Sequence, residues 1–282
     1  MPTVPAWIRA LLAADRAVHS TVRIAALVRT ELLLAGSDPA TRHAVNARVF
    51  SAEDTYTPGG PAFAHGLFAW ERAALTHPAF PRRGRVLLGG AGGGRELVGL
   101  VEAGFSVVAF EPAEALAESL TRVAAGYPGA RGLHGGYHDL VRGVRGEGGP
   151  LAGLRDEAFD AVILGWASFT HLTAPDEARS LLDALRTLCP AAPVLLSYLG
   201  PDDDGRANGR VEALRLPLRT LLGRITGRQA AEGEGFAPGA GFFRRFTGAE
   251  VEGLAEAAGY SVALHRTEPY PHTILVPRGD GR

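Results

Sequence analysis

The chain has 282 residues, of which 46% are hydrophobic and 21% charged, and its formal net charge is −1. This balance is typical of a globular protein and gives no overall electrostatic attraction to nucleic acid or to an anionic membrane. A single cysteine, Cys189, excludes an intramolecular disulfide and a cysteine metal cluster. We therefore expect a protein of a reducing compartment, the cytoplasm, with neither a nucleic-acid nor a membrane partner.

Lysine is absent, and all 29 basic residues are arginine. Schiff-base chemistry and a phosphate-loop lysine are therefore excluded. Together with the many alanines and glycines, this bias is typical of a GC-rich, bacterial-like genome. No apolar run approaches the ~18 residues of a transmembrane helix, so we expect neither a signal peptide nor a membrane span.

The N-terminal part of the chain carries helical patterns and no strand pattern. Apolar residues recur at steps of three, four and seven over 5–35. Asp38, followed by a proline, is an N-cap signal for a second helix over 39–50, and a third helix is predicted over 62–76. We expect segment 1–80 to form a helical cap that covers a substrate.

Beyond the cap, short β-rich runs alternate with helical patterns. Strands are predicted at 85–89, 106–111, 130–135, 159–166, 192–199, 260–268 and 272–277. Helices are predicted at 95–103, 112–125, 175–188 and from Thr247 to Ala258. This alternation predicts an α/β fold with a doubly wound, mostly parallel seven-stranded sheet.

The end of the sequence modifies this pattern. Pro269 and Pro271 separate the last two strands, which favours an antiparallel C-terminal hairpin. We predict one α/β domain over 81–282. Within it, 200–246 is expected to be irregular and to form an insertion or a lid.

The most informative stretch is VLLGGAGGGRE (86–96), a glycine run between the first strand and the first helix of the domain. Glycine permits positive φ and lets a ligand approach the backbone. The start of the next helix offers free N–H groups and a partial positive charge. We therefore expect a ligand with an anionic or polar group at this edge of the sheet.

Three known glycine patterns compete for this run. The phosphate loop, G-x-x-x-x-G-K-[ST], does not fit because Arg95 and Glu96 follow the last glycine. The dinucleotide fingerprint, G-x-G-x-x-G, does not fit because Arg95 occupies its third glycine position. Gly90, Gly92 and Gly94 meet the third pattern, G-x-G-x-G.

With this pattern the chain resembles the class I S-adenosylmethionine-dependent methyltransferases over roughly 85–277, including the order of elements and the terminal hairpin. The resemblance implies a Rossmann-like methyltransferase fold with S-adenosylmethionine as cofactor. In that family the glycine loop holds the methionine end of the cofactor, and an acid ending the second strand binds the ribose hydroxyls. That acid is Glu111, 17 residues after Gly94, and the resemblance also places Ala91 and Pro112 at the cofactor.

The resemblance extends to the later strands. It implies that Asp139 contacts the adenine amino group and that the backbone at Gly165 and Trp166 lines the cofactor. The sequence departs from the family at Leu88, which stands where an acid commonly precedes the first loop glycine. Glu96 is the candidate that binds the cofactor's ammonium group instead.

Further side chains are candidates for the acceptor side. His171 follows the fourth strand, near where the transferred methyl group would point, and is a candidate general base, as is Tyr198. A packing role for the histidine is the alternative. Aromatic residues of the cap either face the cofactor's sulfonium or belong to the core: Tyr56, Phe63, Phe68 and Trp70.

Two other kinds of site are relevant to this sequence, an anion- or RNA-binding surface and a metal site. A local cluster of arginines forms either an anion-binding or RNA-binding stretch or the solvated face of a lid. Its members are Arg206, Arg210, Arg215, Arg219, Arg224 and Arg228. No aromatic residue lies among them to stack on a base, which favours the lid. The nine histidines are scattered and form no H-E-x-x-H motif, so no metal site is predicted.

The sequence thus predicts a methyltransferase acting on a small molecule through an oxygen, nitrogen or carbon nucleophile. One alternative is a non-catalytic cofactor-binding or scaffold protein, which the departure at Leu88 keeps open. An aminopropyltransferase-like enzyme on the same fold is another, although its loop usually includes an acid. A nicotinamide oxidoreductase is disfavoured by Arg95.

Overall fold

The computed structural model describes residues 5–174, 176–201, 209–228 and 230–279. Its main strands are β1 (Gly84–Gly89), β2 (Phe105–Glu111), β3 (Ala130–His134), β4 (Ala161–Leu164), β5 (Val194–Ser197), β8 (Tyr260–Arg266) and β9 (His272–Pro277). They form one sheet in the order β3-β2-β1-β4-β5-β9-β8. The first five strands are parallel, and β9 is antiparallel to both β5 and β8. The predicted mostly parallel seven-stranded sheet with a terminal hairpin is confirmed.

Helices cover both faces of this sheet, which confirms the doubly wound arrangement. They are α5 (Arg95–Glu102), α6 (Glu114–Ala124), α7 (Tyr137–Val144), α8 (Glu177–Leu188) and α10 (Gly248–Ala257). Successive residues of β1 point to opposite faces. Leu87 packs in a core with α7, α8 and α10, whereas Val86 and Leu88 pack in a second core with α5 and α6.

The N-terminal segment is helical, with one difference from the prediction. Its helices are α1 (Ala6–Gly36), α2 (Pro39–Ser51), α3 (Pro61–Ala64) and α4 (Ala69–Leu75). The single helix predicted over 62–76 is wrong. Gly66 has a φ of +58°, and the N–H of Phe68 donates to Glu71 Oε2 at 2.6 Å, which starts α4 afresh.

The expectation that 200–246 is irregular is also wrong for its described part. The chain forms α9 (Gly209–Thr226) and a hairpin of β6 (Glu234–Ala237) with β7 (Gly241–Arg244). Pro217 inside α9 hid the helical pattern, and only four residues in each strand carry the hairpin pattern. Residues 202–208, with Arg206, and the side chain of Arg210 lie outside the described residues.

Buried ion pairs join the N-terminal helices to the rest of the chain. Glu31 on α1 forms two hydrogen bonds with Arg219 on α9, at 2.8 and 2.9 Å. Arg42 on α2 donates to Thr173 and to Glu234, both at 3.2 Å. These contacts fix α2 over the carboxyl edge of the sheet. No helix in the described part of the chain is both long enough and apolar enough to span a bilayer.

Candidate functional site

The glycine loop after β1 has the backbone that its sequence requires. Gly90, Gly92 and Gly94 have φ values of +66°, +54° and +106°, where a side chain is strained. A Cβ on Gly93 would lie 2.4 Å from the carbonyl oxygen of Tyr56. The loop therefore tolerates no side chain at these positions, and it leads directly into α5.

Glu111 ends β2 beside this loop because β1 and β2 are parallel neighbours. Its Oε2 accepts a hydrogen bond from the Gly92 N–H at 2.9 Å, and its Oε1 accepts one from the Ala113 N–H at 3.0 Å. Burial raises the pKa of Glu111 to about 7, although the two N–H groups oppose the shift. The site therefore holds a carboxyl group whose charge costs the free protein stability.

A cavity of about 810 Å³ opens over the loop and Glu111. Its floor comes from segments that follow β1, β2, β3 and β4, which meet at the carboxyl edge of the parallel strands. Most ligand sites of open α/β sheets lie at this edge, and pockets of roughly 300–1,000 Å³ hold small molecules.

Helix α2 forms the roof of the cavity. Asp38 caps it by accepting from the Thr41 N–H at 2.7 Å. Its lining residues recur at helical spacing, so one face of the helix faces the cavity floor. These residues are Pro39, Ala40, His43, Ala44, Asn46, Ala47 and Phe50. At the α8 side, His43 Nε2 lies 2.5 Å from Glu177 Oε1.

The structure brings together nearly all the residues that the sequence singled out. Those that line the cavity are Gly90, Ala91, Gly92, Glu96, Glu111, Pro112, Asp139, Trp166 and His171. Gly94 and Gly165 support the floor instead. Gly94 precedes α5 with its left-handed backbone, and a Cβ on Gly165 would lie 2.3 Å from the Gly90 carbonyl oxygen.

Asp139 lies in the first turn of α7, at the β3 end of the cavity. Its Oδ2 accepts a hydrogen bond from the Gly136 N–H at 2.9 Å and lies 3.3 Å from His138 Nε2. The carboxylate thus caps its own helix while also lining the cavity.

Glu96 and Arg95 form a buried charged cluster with α4. Arg95 donates two hydrogen bonds to Glu71 at 2.7 Å each and one to Glu96 Oε1 at 2.6 Å. The same Glu96 oxygen accepts from the Trp166 N–H at 3.1 Å. In the part of the chain that the structure describes, Glu96 Oε2 makes no hydrogen bond. Leu88 is fully buried in the core.

His171 lies in a short 3₁₀ helix after β4, under α2. Its Nδ1 is 2.9 Å from the carbonyl oxygen of Phe242, and its ring packs edge-on against Phe50, with centroids 5.1 Å apart. Burial lowers the pKa of His171, so the ring is neutral at pH 7.

The structure places Tyr198 outside the cavity lining. Its hydroxyl is 2.8 Å from His265 Nε2, and burial together with the nearby charge of Glu252 raises its pKa to about 12. This position gives no support to Tyr198 as a catalytic base.

Sequence reasoning missed the roof residues His43 and Asn46 and their partner Glu177. The amide of Asn46 pairs with the backbone of Phe242, donating to its carbonyl oxygen at 2.9 Å and accepting from its N–H at 2.6 Å. The spacing of residues 43, 46 and 50 on one face of α2 was the available signal. Nothing in the sequence links that face to residue 242.

No family model and no curated protein matches the sequence. Solved structures do match. A SAM-dependent methyltransferase from Methanosarcina mazei has a TM-score of 0.53 at 17% identity, with 75% of this chain and 98% of that chain covered. DesVI of Streptomyces venezuelae has a TM-score of 0.50 at 16% identity, with 77% and 93% covered. The chain has the fold of the class I SAM-dependent methyltransferases.

In this methyltransferase fold, the glycine loop and Glu111 lie on neighbouring strands at the cavity floor. The N-terminal helices and the β6–β7 hairpin supply the roof and one wall. The carboxyl edge of the sheet therefore supplies the floor of the cavity, and elements outside the seven-stranded sheet supply its cover.

Proposed function

We propose that this protein is a methyltransferase that binds S-adenosylmethionine in the cavity and transfers its methyl group to a small-molecule acceptor. The observation that carries the proposal is the buried Glu111 carboxyl group beside a loop whose three glycines have positive φ. A carboxylate accepts both hydroxyl hydrogens of a ribose. The loop and the start of α5 leave room and N–H groups for the amino-acid end of the cofactor.

The charge of the cavity supports a cationic cofactor. Its lining includes the carboxyl groups of Glu96, Glu111, Asp139 and Glu177. The one arginine of the lining, Arg95, is neutralised by Glu71 and Glu96. A sulfonium and an ammonium group are attracted to such a surface, whereas the two phosphates of a nicotinamide dinucleotide are repelled.

We propose that Glu96 replaces the acid that Leu88 lacks. Glu96 lines the cavity next to the glycine loop, and its Oε2 makes no hydrogen bond to any described residue. That oxygen is the proposed acceptor for the cofactor's ammonium group, while Oε1 keeps Arg95 and the Trp166 N–H. Asp139 and the backbone at Trp166 border the proposed adenine and amino-acid ends.

When bound, the cofactor supplies an activated methyl group, so the protein mainly has to position the acceptor and exclude water. The roof formed by α2 performs both tasks in this proposal. The buried ion pair of Arg42 with Glu234 and the hydrogen bond from Arg42 to Thr173 hold it in place. Its aromatic and alanine side chains cover the cavity above the floor.

The test is calorimetric titration with S-adenosylmethionine, S-adenosylhomocysteine, NAD and NADP. We expect the first two to bind and the nicotinamide cofactors not to. Glu111→Ala removes both ribose contacts and should weaken binding by more than tenfold, since hydrogen bonds to charged groups contribute roughly 1.5–3 kcal/mol each. Glu118→Ala removes an exposed carboxylate of α6 and serves as the matched control. Absence of S-adenosylhomocysteine binding by the folded protein would contradict the proposal.

A further inference from the structure

Around His171 we group the uncharged, largely aromatic residues of the cavity lining and call this group the acceptor chamber. Its lining residues are Ala47, Phe50, Tyr56, Phe63, Thr170, His171, Leu199, Ala240, Phe243 and Tyr270. Tyr56 contacts the glycine loop through its backbone, and its ring lies 5.8 Å from that of Phe50, which packs on His171. A continuous aromatic wall therefore leads from the proposed cofactor site to His171.

The contacts of His171 determine which nitrogen carries its proton. Nδ1 faces the carbonyl oxygen of Phe242 at 2.9 Å, and a carbonyl oxygen only accepts hydrogen bonds. The amide nitrogen of Asn46 could donate to a lone pair on Nδ1, but it lies farther away, at 3.3 Å, and already donates to the same carbonyl oxygen at 2.9 Å. The neutral ring thus carries its proton on Nδ1. Its Nε2 keeps a lone pair and has no hydrogen-bond partner among the described residues.

Asn46 holds the group that orients this ring. Both of its amide atoms pair with the backbone of Phe242, and the carbonyl oxygen of Phe242 accepts from Asn46 and His171 together. The same carbonyl stabilises the ring when Nε2 gains a proton, because the charged ring donates a stronger hydrogen bond through Nδ1. Asn46 therefore acts on His171 through a fixed peptide group.

The lining of the acceptor chamber favours an uncharged acceptor. The residues that define the chamber include no arginine and no carboxylate, whereas the carboxyl groups of the cavity lie among its other lining residues. Flat rings suit its aromatic walls. A neutral imidazole is a weak base for an aliphatic hydroxyl, whose pKa is near that of water at roughly 15.7. A phenolic hydroxyl, with a pKa of about 10, is acidic enough for a neutral imidazole to accept its proton during the reaction.

We propose that the acceptor is an uncharged phenol, that His171 is its general base through Nε2, and that Asn46 is a positioning residue for His171. This rests on the proposed methyl transfer. The phenol oxygen forms a bond to the methyl carbon as the methyl–sulfur bond breaks. The electron pair of that bond passes to sulfur, which becomes a neutral thioether, and the phenol proton passes to Nε2.

The test uses probes that differ in one feature. These are 4-propylphenol, 4-propylaniline and 3-(4-hydroxyphenyl)propanoate, with S-adenosylhomocysteine formation as the readout. We expect the phenol to exceed both others at least tenfold in kcat/KM. His171→Gln should lower kcat for 4-propylphenol by about 10²–10⁴-fold, the range for a lost general base, with little change in KM. His19→Gln, an exposed histidine of α1, is the control.

A more acidic phenol separates catalysis from structure. With 4-cyanophenol, which is ionised to a larger extent at the same pH, the loss in His171→Gln should shrink. Asn46→Ala should lower kcat less than His171→Gln does. This loss should also shrink with 4-cyanophenol, which a purely structural defect would not do. In the wild type, kcat/KM for 4-propylphenol should rise with pH through the ionisation of His171 and then level off. Among the described residues, His43 on α2 is the titratable group whose charge acts on His171, and Tyr56 also lines the acceptor chamber.

The possible failures are distinguishable. If S-adenosylhomocysteine does not bind, the methyltransferase proposal itself fails. If it binds but 4-propylphenol is not methylated, the phenol proposal is overturned and the proposed function stands. An equal loss in His171→Gln for both phenols would remove His171 as the base.

Discussion

Replacing Glu111 with glutamine should stabilise the free protein at pH 8, although it weakens the proposed ribose contacts. Burial raises the pKa of this carboxyl group from 4.5 to about 7. The folded state therefore binds more protons than the unfolded state between these values, and the stability of the wild type falls as pH rises through this window. Glutamine carries no charge and escapes this loss.

The size of the effect follows from the shift. Each pKa unit corresponds to roughly 1.4 kcal/mol, so the ionised Glu111 costs about 3 kcal/mol at pH 8. Glutamine offers one acceptor oxygen where the carboxylate offers two to Gly92 and Ala113, and one lost hydrogen bond costs about 1 kcal/mol. The net gain is about 2 kcal/mol at pH 8 and near zero at pH 5, where the folded wild type is protonated.

The assay is thermal and urea unfolding of ligand-free protein at both pH values. At pH 8 the variant should melt roughly 4–8 °C above the wild type, given 2–4 °C per kcal/mol for a chain of this size. Glu118→Gln, on the exposed face of α6, should show no pH-dependent difference. A Glu111→Gln variant that is equally destabilised at pH 5 and pH 8 would refute the reasoning, because the carboxyl group would then be stabilising when charged.

Three further predictions follow from the same contacts. Gly90→Ala should abolish binding of S-adenosylhomocysteine in calorimetry, since its Cβ would lie 2.6 Å from Ser168 Cβ. Gly104→Ala is the control: this glycine also has a positive φ but has open space around it, so the variant should bind normally. Arg95→Ala should lower the free energy of urea unfolding by about 3–5 kcal/mol, because two buried carboxylates lose their partner; wild-type stability would contradict this. Affinity for S-adenosylhomocysteine should increase from pH 6 to pH 8 as Glu111 ionises, and a profile unchanged in Glu111→Gln would exclude that carboxyl group as the cause.

The sheet was predictable because its signals are local. Each parallel strand is a short apolar run, and the glycine run marks the turn where the cofactor site of such folds lies. The break near Gly66 and the helix around Pro217 were not predicted. A glycine or a proline can either interrupt a helix or lie within one, and tertiary contacts decide which occurs.

The roof of the site could not be predicted for a related reason. Asn46 is one polar residue on an amphipathic helix, and its structural role depends on hydrogen bonds with Phe242, which is 196 residues away in the sequence. Arg95 was read only as a missing glycine, whereas it joins α5 to α4 through Glu71. Such pairings leave no periodic pattern in the sequence, so a single sequence cannot reveal them.

The long separations between α2 and its partners also bear on the order of events during protein synthesis. Helix α2 leaves the ribosome before its partners Thr173, Glu234 and Phe242, which follow 131, 192 and 196 residues later. The glycine loop and Glu111 are translated well before those partners. A nascent chain therefore carries both elements of the floor before the roof is fixed over them, and the cavity is covered only after the segment up to Phe242 has been translated.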